Sequence, residues 1–74
     1  MTKQDRIEIR PDVMFGKPVI RGTRIPVELI LRKLGSGTAP EEILRLHPRL
    51  RREDLHAALR FAADLLAGED VAFG

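Results

Sequence analysis

At Pro26 the apolar spacing of this chain changes from two residues to three and four, and no single regular element can span that change. Before it, Arg6-Ile7-Glu8-Ile9-Arg10 alternates polar and apolar, the period of a half-buried strand. After it, Val27, Ile30, Leu31 and Leu34 fall on one face of a helix, with Pro26 suited to the first turn. The chain must therefore fold as a short β segment followed by helices.

The β segment is expected over about 6–26. Its first strand ends at Pro11. Val19-Ile20 follows Gly16-Lys17-Pro18, and Gly22-Thr23 reads as a turn before Arg24-Ile25-Pro26, so two or three short strands can form. An isolated hairpin is marginal in water, so these strands must pack on something. Helix one is expected over about 27–36, ending near Gly35-Ser36-Gly37, with Leu29 on its charged face. Thr38-Ala39-Pro40-Glu41 has the spacing of a capping box, which predicts that the Thr38 hydroxyl and the Glu41 carboxylate cap helix two over about 39–46. Pro48 biases His47 out of helical geometry. Helix three is expected over about 52–66, with Glu53 and Asp54 complementing the positive end of its dipole. Its buried stripe reads Leu55, Ala58, Leu59, Ala62, Leu65 and Leu66, with Phe61 at the margin completing the core. Gly68 stops the helix, and the tail over 68–74, with Val71 and Phe73, has no period. The fold class that follows is mainly α: a single domain built as a three-helix homeodomain-like or helix-turn-helix bundle preceded by a short β-hairpin segment.

Size limits what such a chain can do alone. A chain of 74 residues buries only about 60% of its unfolded surface, and one core of this size supplies roughly 3–5 kcal/mol. With no Cys, disulfides are excluded and a structural zinc is weakened, so support is expected from a homodimer or a bound partner. The absence of Cys also fits a reducing cytoplasm. No run approaches the roughly 18 apolar residues of a membrane span, and MTKQDRIEIR carries no apolar signal core, so the expectation is a cytoplasmic protein with no membrane partner.

Charge is unevenly placed. Residues 1–37 hold eight Lys/Arg against four Asp/Glu, residues 38–74 five Arg against seven Asp/Glu, and ten of the 13 cations are Arg. The planar guanidinium fork suits phosphate or carboxylate, so a polyanion or an acidic protein surface is the expected partner; a merely solvated charged face is the competing reading. Lys17, Arg21 and Arg24 lie around the hairpin, with Arg6 and Arg10 on the first strand, a basic front segment that could read a groove as a β ribbon; for Arg21 and Arg24, ion pairing that holds the hairpin onto the helices is the other reading. Arg45, Arg49, Arg51 and Arg52 cluster before helix three, placed for phosphates if DNA is bound. The exposed face of helix three offers Glu53, His56, Arg60 and Asp64, of which Arg60 alone has the fork for a guanine edge; two carboxylates weaken direct base readout.

An enzyme is not expected. There is no Cys or Tyr, and His47 and His56 lie nine apart without a carboxylate at ligand spacing, so neither a metal site nor a cofactor is expected. His47 reads as a helix-end cap and His56 as an exposed helix residue. Glu41-Glu42 and Glu53-Asp54 are adjacent pairs, which point to different sides of a helix and complement its dipole. Gly16-Lys17 lacks the spacing of a phosphate loop.

The run Gly16-Lys17-Pro18-Val19-Ile20-Arg21-Gly22-Thr23-Arg24-Ile25-Pro26-Val27, followed by Glu41-Glu42-Ile43-Leu44, Pro48, Leu50, Glu53-Asp54-Leu55 and Ala57-Ala58-Leu59, resembles the small prokaryotic family known as domain of unknown function 433, over roughly residues 7–66. The resemblance implies a homeodomain-like fold behind a short β segment, and a VapB-like antitoxin that neutralises a PIN-like ribonuclease toxin and binds operator DNA as an autorepressor. A structural adaptor without DNA affinity is the alternative. Two positions depart from the family: Arg51 stands where Ser or Thr is common at the N-cap of helix three, and Phe15 where a Gly often precedes Gly16. Losing a cap hydroxyl costs about 1 kcal/mol unless another group replaces it. The expected partner-binding residues are Lys17, Arg21, Arg24, Arg45, Arg49, Arg51, Arg52, His56 and Arg60.

Overall fold

A computed structural model describes residues 6–68. Five elements carry the fold: strands β1 (Ile7–Ile9) and β2 (Pro18–Ile20), then helices α1 (Val27–Gly35), α2 (Pro40–Leu46) and α3 (Arg52–Ala67). The strands pair antiparallel, with Ile7 opposite Ile20, Glu8 opposite Val19 and Ile9 opposite Pro18. Pro18, which has no N–H to donate, occupies the first position of its strand. The third strand entertained from Arg24-Ile25-Pro26 is reduced to one bridge between Val19 and Pro26. What holds it there is a tight turn: the Thr23 amide donates to the Ile20 carbonyl, and Gly22 adopts φ 80°, as the third position of a type II turn requires. The Thr23 hydroxyl donates to the same carbonyl at 2.7 Å and accepts from the Ile25 amide at 3.0 Å, locking the corner that launches α1.

The connection between the strands is longer and strained. Within the 3-10 turn Met14–Gly16, Met14 and Phe15 take φ of 51° and 57°, and Phe15 is 98% exposed. A side chain that contacts little gives nothing back for left-handed backbone, which costs a non-glycine residue roughly 1–2 kcal/mol. Phe15→Gly is therefore expected to stabilise the chain by about 1 kcal/mol after the unfolded-state entropy of glycine is subtracted, read as a higher urea midpoint.

Helix α1 ends in a Schellman motif. The Thr38 amide donates to the Lys33 carbonyl at 2.9 Å and the Gly37 amide to that of Leu34 at 3.1 Å, with Gly37 at φ 93°. This arrangement corrects the expected capping box. The N-cap of α2 is Ala39, with Pro40 at the first helical position, and no side chain caps the helix; the Thr38 hydroxyl lies 3.5 Å from that of Ser36 instead. Thr38 is one residue too early because its backbone is already committed to closing α1. Thr38→Ala is expected to change stability by less than about 0.5 kcal/mol in chemical denaturation, where a true N-cap would lose about 1.

Helix α3 solves its N-terminus differently. Arg51, the N-cap, carries a guanidinium that can only donate, and the box is completed from the other side: the Asp54 carboxylate accepts the Arg51 amide at 2.8 Å, while the Asp54 amide donates to the Arg51 carbonyl at 2.9 Å.

The core is one cluster formed by Ile7, Ile20, Val27, Ile30, Ile43, Leu50, Leu55, Ala57 and Ala58, with Ile25, Leu31, Leu34, Leu44 and Phe61 packed against it. The face expected for α1 and the inward Phe61 agree with this. The stripe expected along α3 does not persist: Leu55 and Ala58 are buried, but Leu59, Leu65 and Leu66 are 49%, 60% and 63% exposed. At 1.5 Å rise per residue, the 16 residues of α3 outrun the nine of α1 and seven of α2, which leaves Leu65 and Leu66 uncovered, whereas Leu59, mid-helix and ahead of the inward Phe61, lies on the outward side. The tail expected over 68–74 lies, beyond Gly68, outside the described residues.

Candidate partner-binding surface

The cations separate into a paired set and an unpaired set. Lys17 reaches Glu28 on α1 at 3.2 Å, and Arg32 takes the other oxygen of the same carboxylate at 2.9 Å. The hydrogen bond from Arg32, then that from Lys17, holds the Glu28 carboxyl below its ordinary range. Arg45 pairs with Glu42 on α2 and lowers its carboxyl in the same way, chiefly by hydrogen bonding. Arg52 lies 3.6 Å from Glu41. Glu41 and Glu42, expected as dipole complements, thus also serve as partners for arginines. The cluster expected from Arg45, Arg49, Arg51 and Arg52 is therefore halved: two of its members are tied to α2 carboxylates in the folded chain.

Arg24, Arg49, Arg51 and Arg60 are exposed, and none of their guanidinium groups makes an ion pair among the described residues. Arg60 and His56 stand on the exposed side of α3, beside Glu53 and Asp64. His47, half-buried, is the C-cap of α2, its backbone amide bonding the Ile43 carbonyl.

Packing of β1 against the start of α3 creates a feature not anticipated from sequence. Asp54 is buried, and its Oδ1 accepts from Arg6 at 3.0 Å while its Oδ2 accepts the Arg51 amide. Around this carboxylate, Arg6, Arg21, Arg49 and Arg51 line a cleft of about 320 Å³. Arg21 reaches it from the turn after β2, held by its amide on the Arg6 carbonyl and by an ion pair to Glu8 at 3.3 Å. Of the expected residues, the cleft brings together Arg21, Arg49 and Arg51; Lys17, Arg24, Arg45, Arg52, His56 and Arg60 do not line it. Arg6 was expected on the basic front segment and Asp54 as a dipole complement; their pairing is what sequence reasoning missed. The available signal was an acidic N3 residue following an N-cap without a hydroxyl, which calls for a reversed box and hence an inward carboxylate.

A second, shallower groove of about 290 Å³ runs along α1, lined by Pro26, Glu28, Leu29, Arg32 and Lys33. Leu29, half-buried, is its apolar element. Among the described residues no group of three or more His, Cys, Asp or Glu is placed to hold a metal ion, and no helix is long and apolar enough to cross a membrane.

The family model described as a protein of unknown function (DUF433) matches residues 7–62. An uncharacterised protein of Sinorhizobium fredii, y4eO, is 37% identical over 65 residues, a match that covers 86% of this chain and 29% of that protein. The crystal structure of a DUF433 member from Anabaena variabilis superimposes with a TM-score of 0.78 at 38% identity, covering 82% of this chain and 60% of the other. The chain thus spans under a third of the curated relative and three-fifths of the solved one.

Proposed function

Given that the chain belongs to the DUF433 family, whose function is open, we propose that it is the antitoxin of a toxin–antitoxin pair, a non-enzymatic module that binds and neutralises a PIN-like ribonuclease. The observation that supports this reading is the set of exposed arginines, Arg24, Arg49, Arg51 and Arg60, which make no ion pair among the described residues, while Glu41 and Glu42 are taken by Arg52 and Arg45. A guanidinium held ready on a rigid scaffold suits the carboxylates of an acidic, metal-binding nuclease site, where charge complementarity sets rate and specificity of association. The exposed Leu59, Leu65 and Leu66 support a homodimer or a partner helix covering the exposed apolar residues of α3. Absence of Cys supports action in the cytoplasm.

Autorepression at operator DNA is the narrower part of the proposal, since Glu53 and Asp64 beside Arg60 oppose entry of α3 into a groove and leave phosphate contacts as the means of binding. Those same carboxylates favour the second reading, a protein-interaction adaptor without DNA affinity. The test is co-expression with the open reading frame adjacent to its gene. The antitoxin reading expects growth arrest when the neighbour is expressed alone and rescue when this chain accompanies it; unchanged growth with the neighbour alone, from a plasmid shown to produce it, leaves the adaptor.

A further inference from the structure

We propose that the cleft formed by Arg6, Arg21, Arg49 and Arg51 is a phosphate-binding site. The inference does not rest on the antitoxin reading. Four guanidinium groups line one concavity whose own carboxylate, Asp54, has both oxygens already engaged, one by Arg6 and the other by the Arg51 amide. Asp54 is thus a fixed strut that holds Arg6 and the N-cap in place, with no oxygen directed to the guanidinium groups of Arg49 and Arg51. Glu8 answers Arg21. The lining therefore carries more positive charge than the acidic groups around it offset, and a bound anion relieves that excess.

The shape of the site selects the anion. Arginines from the residue before β1, from the turn after β2 and from the turn between α2 and α3 approach the cleft from three segments of the chain. A planar carboxylate presents two oxygens in one plane and is satisfied by one fork. A tetrahedral phosphate offers oxygens in several directions and matches several guanidinium groups at once. About 320 Å³ accommodates a phosphate group with bridging water. The phosphate can belong to a free phosphorylated compound or to the backbone of a nucleic acid, and the recognition chemistry is the same for both.

The full chain, labelled with ¹⁵N, is to be titrated with inorganic phosphate against sodium chloride at matched ionic strength. The expected result is a saturable shift of the Arg49 and Arg51 side-chain Nε–H signals at millimolar phosphate or below, with chloride giving none. Arg49→Gln and Arg51→Gln are each expected to weaken the affinity about tenfold, while Arg32→Gln, outside the cleft and paired to Glu28, leaves it unchanged. Arg51 enters the cap through its main-chain amide and carbonyl only, so substitution of its side chain keeps α3, which circular dichroism checks. Displacement of phosphate by duplex DNA assigns the site to a nucleic-acid backbone, and no displacement assigns it to a free phosphate compound; both uphold the site. Shifts that fail to saturate, that chloride reproduces, or that Arg32→Gln reduces as much as Arg51→Gln does would overturn it.

Discussion

Ile43→Ala is expected to abolish the cooperative unfolding transition of this chain at room temperature. Ile43 is fully buried at the point where α2 meets the core, and truncating such a side chain costs about 2–5 kcal/mol, part transfer and part cavity. A domain of this length has roughly 3–5 kcal/mol in total, so the loss is comparable with the whole. Leu46→Ala on the same helix is the control: Leu46 is 47% exposed, and its truncation is expected to leave a cooperative transition. Urea denaturation followed by far-ultraviolet circular dichroism reads both. An Ile43→Ala midpoint within error of the unmodified chain would mean that α2 is not docked as described.

The second large effect is expected at Asp54. Its replacement by Ala removes the acceptor of the Arg51 amide, a cap contact worth about 1 kcal/mol, and the charge-assisted bond from Arg6, worth roughly 1.5–3 kcal/mol before discounting. Arg6 is 44% exposed and regains water when its partner is removed, so the second contribution falls at the low end. The expected loss is about 2–3 kcal/mol, again a large share of the total. Asp54→Asn, which keeps one acceptor oxygen for the cap, is expected to lose about half as much. Equal losses for the two variants would show that the cap contributes nothing and that charge alone matters.

Much of this architecture was legible in the residues because it depends on local rules. The change of period at Pro26, the apolar face of α1, the glycines at Gly22 and Gly37 and the bias at His47-Pro48 each act within a few positions, and each is where expected. Two local readings failed through competition the sequence did not display. Thr38 had the spacing of an N-cap, but its amide was claimed by the end of α1. Leu59, Leu65 and Leu66 had the spacing of a core stripe, but the stripe is narrower than read at Leu59, and periodicity says nothing of how far the neighbouring helices extend beside Leu65 and Leu66. The candidate surface was less legible still. Which arginines are occupied depends on contacts such as Arg52 with Glu41 and Arg6 with Asp54, 48 positions apart, and side-chain pairing across elements leaves no periodic mark. Pairing with Glu42 and Glu41 of α2, visible only in the folded chain, divides Arg45 and Arg52 from Arg49 and Arg51.

The account rests on recognition by outward guanidinium groups, and the direct measurement is rescue of growth by a charge-reversed chain. A triple variant, Arg49→Glu with Arg51→Glu and Arg60→Glu, alters residues with no ion pair to lose among the described residues, so it is expected to keep its circular dichroism spectrum. Under the proposed antitoxin function, co-expression with the neighbouring open reading frame should leave growth arrested with the triple variant, while Arg45→Glu, at a cation already paired to Glu42, should restore it. Full rescue by the folded triple variant would contradict the account.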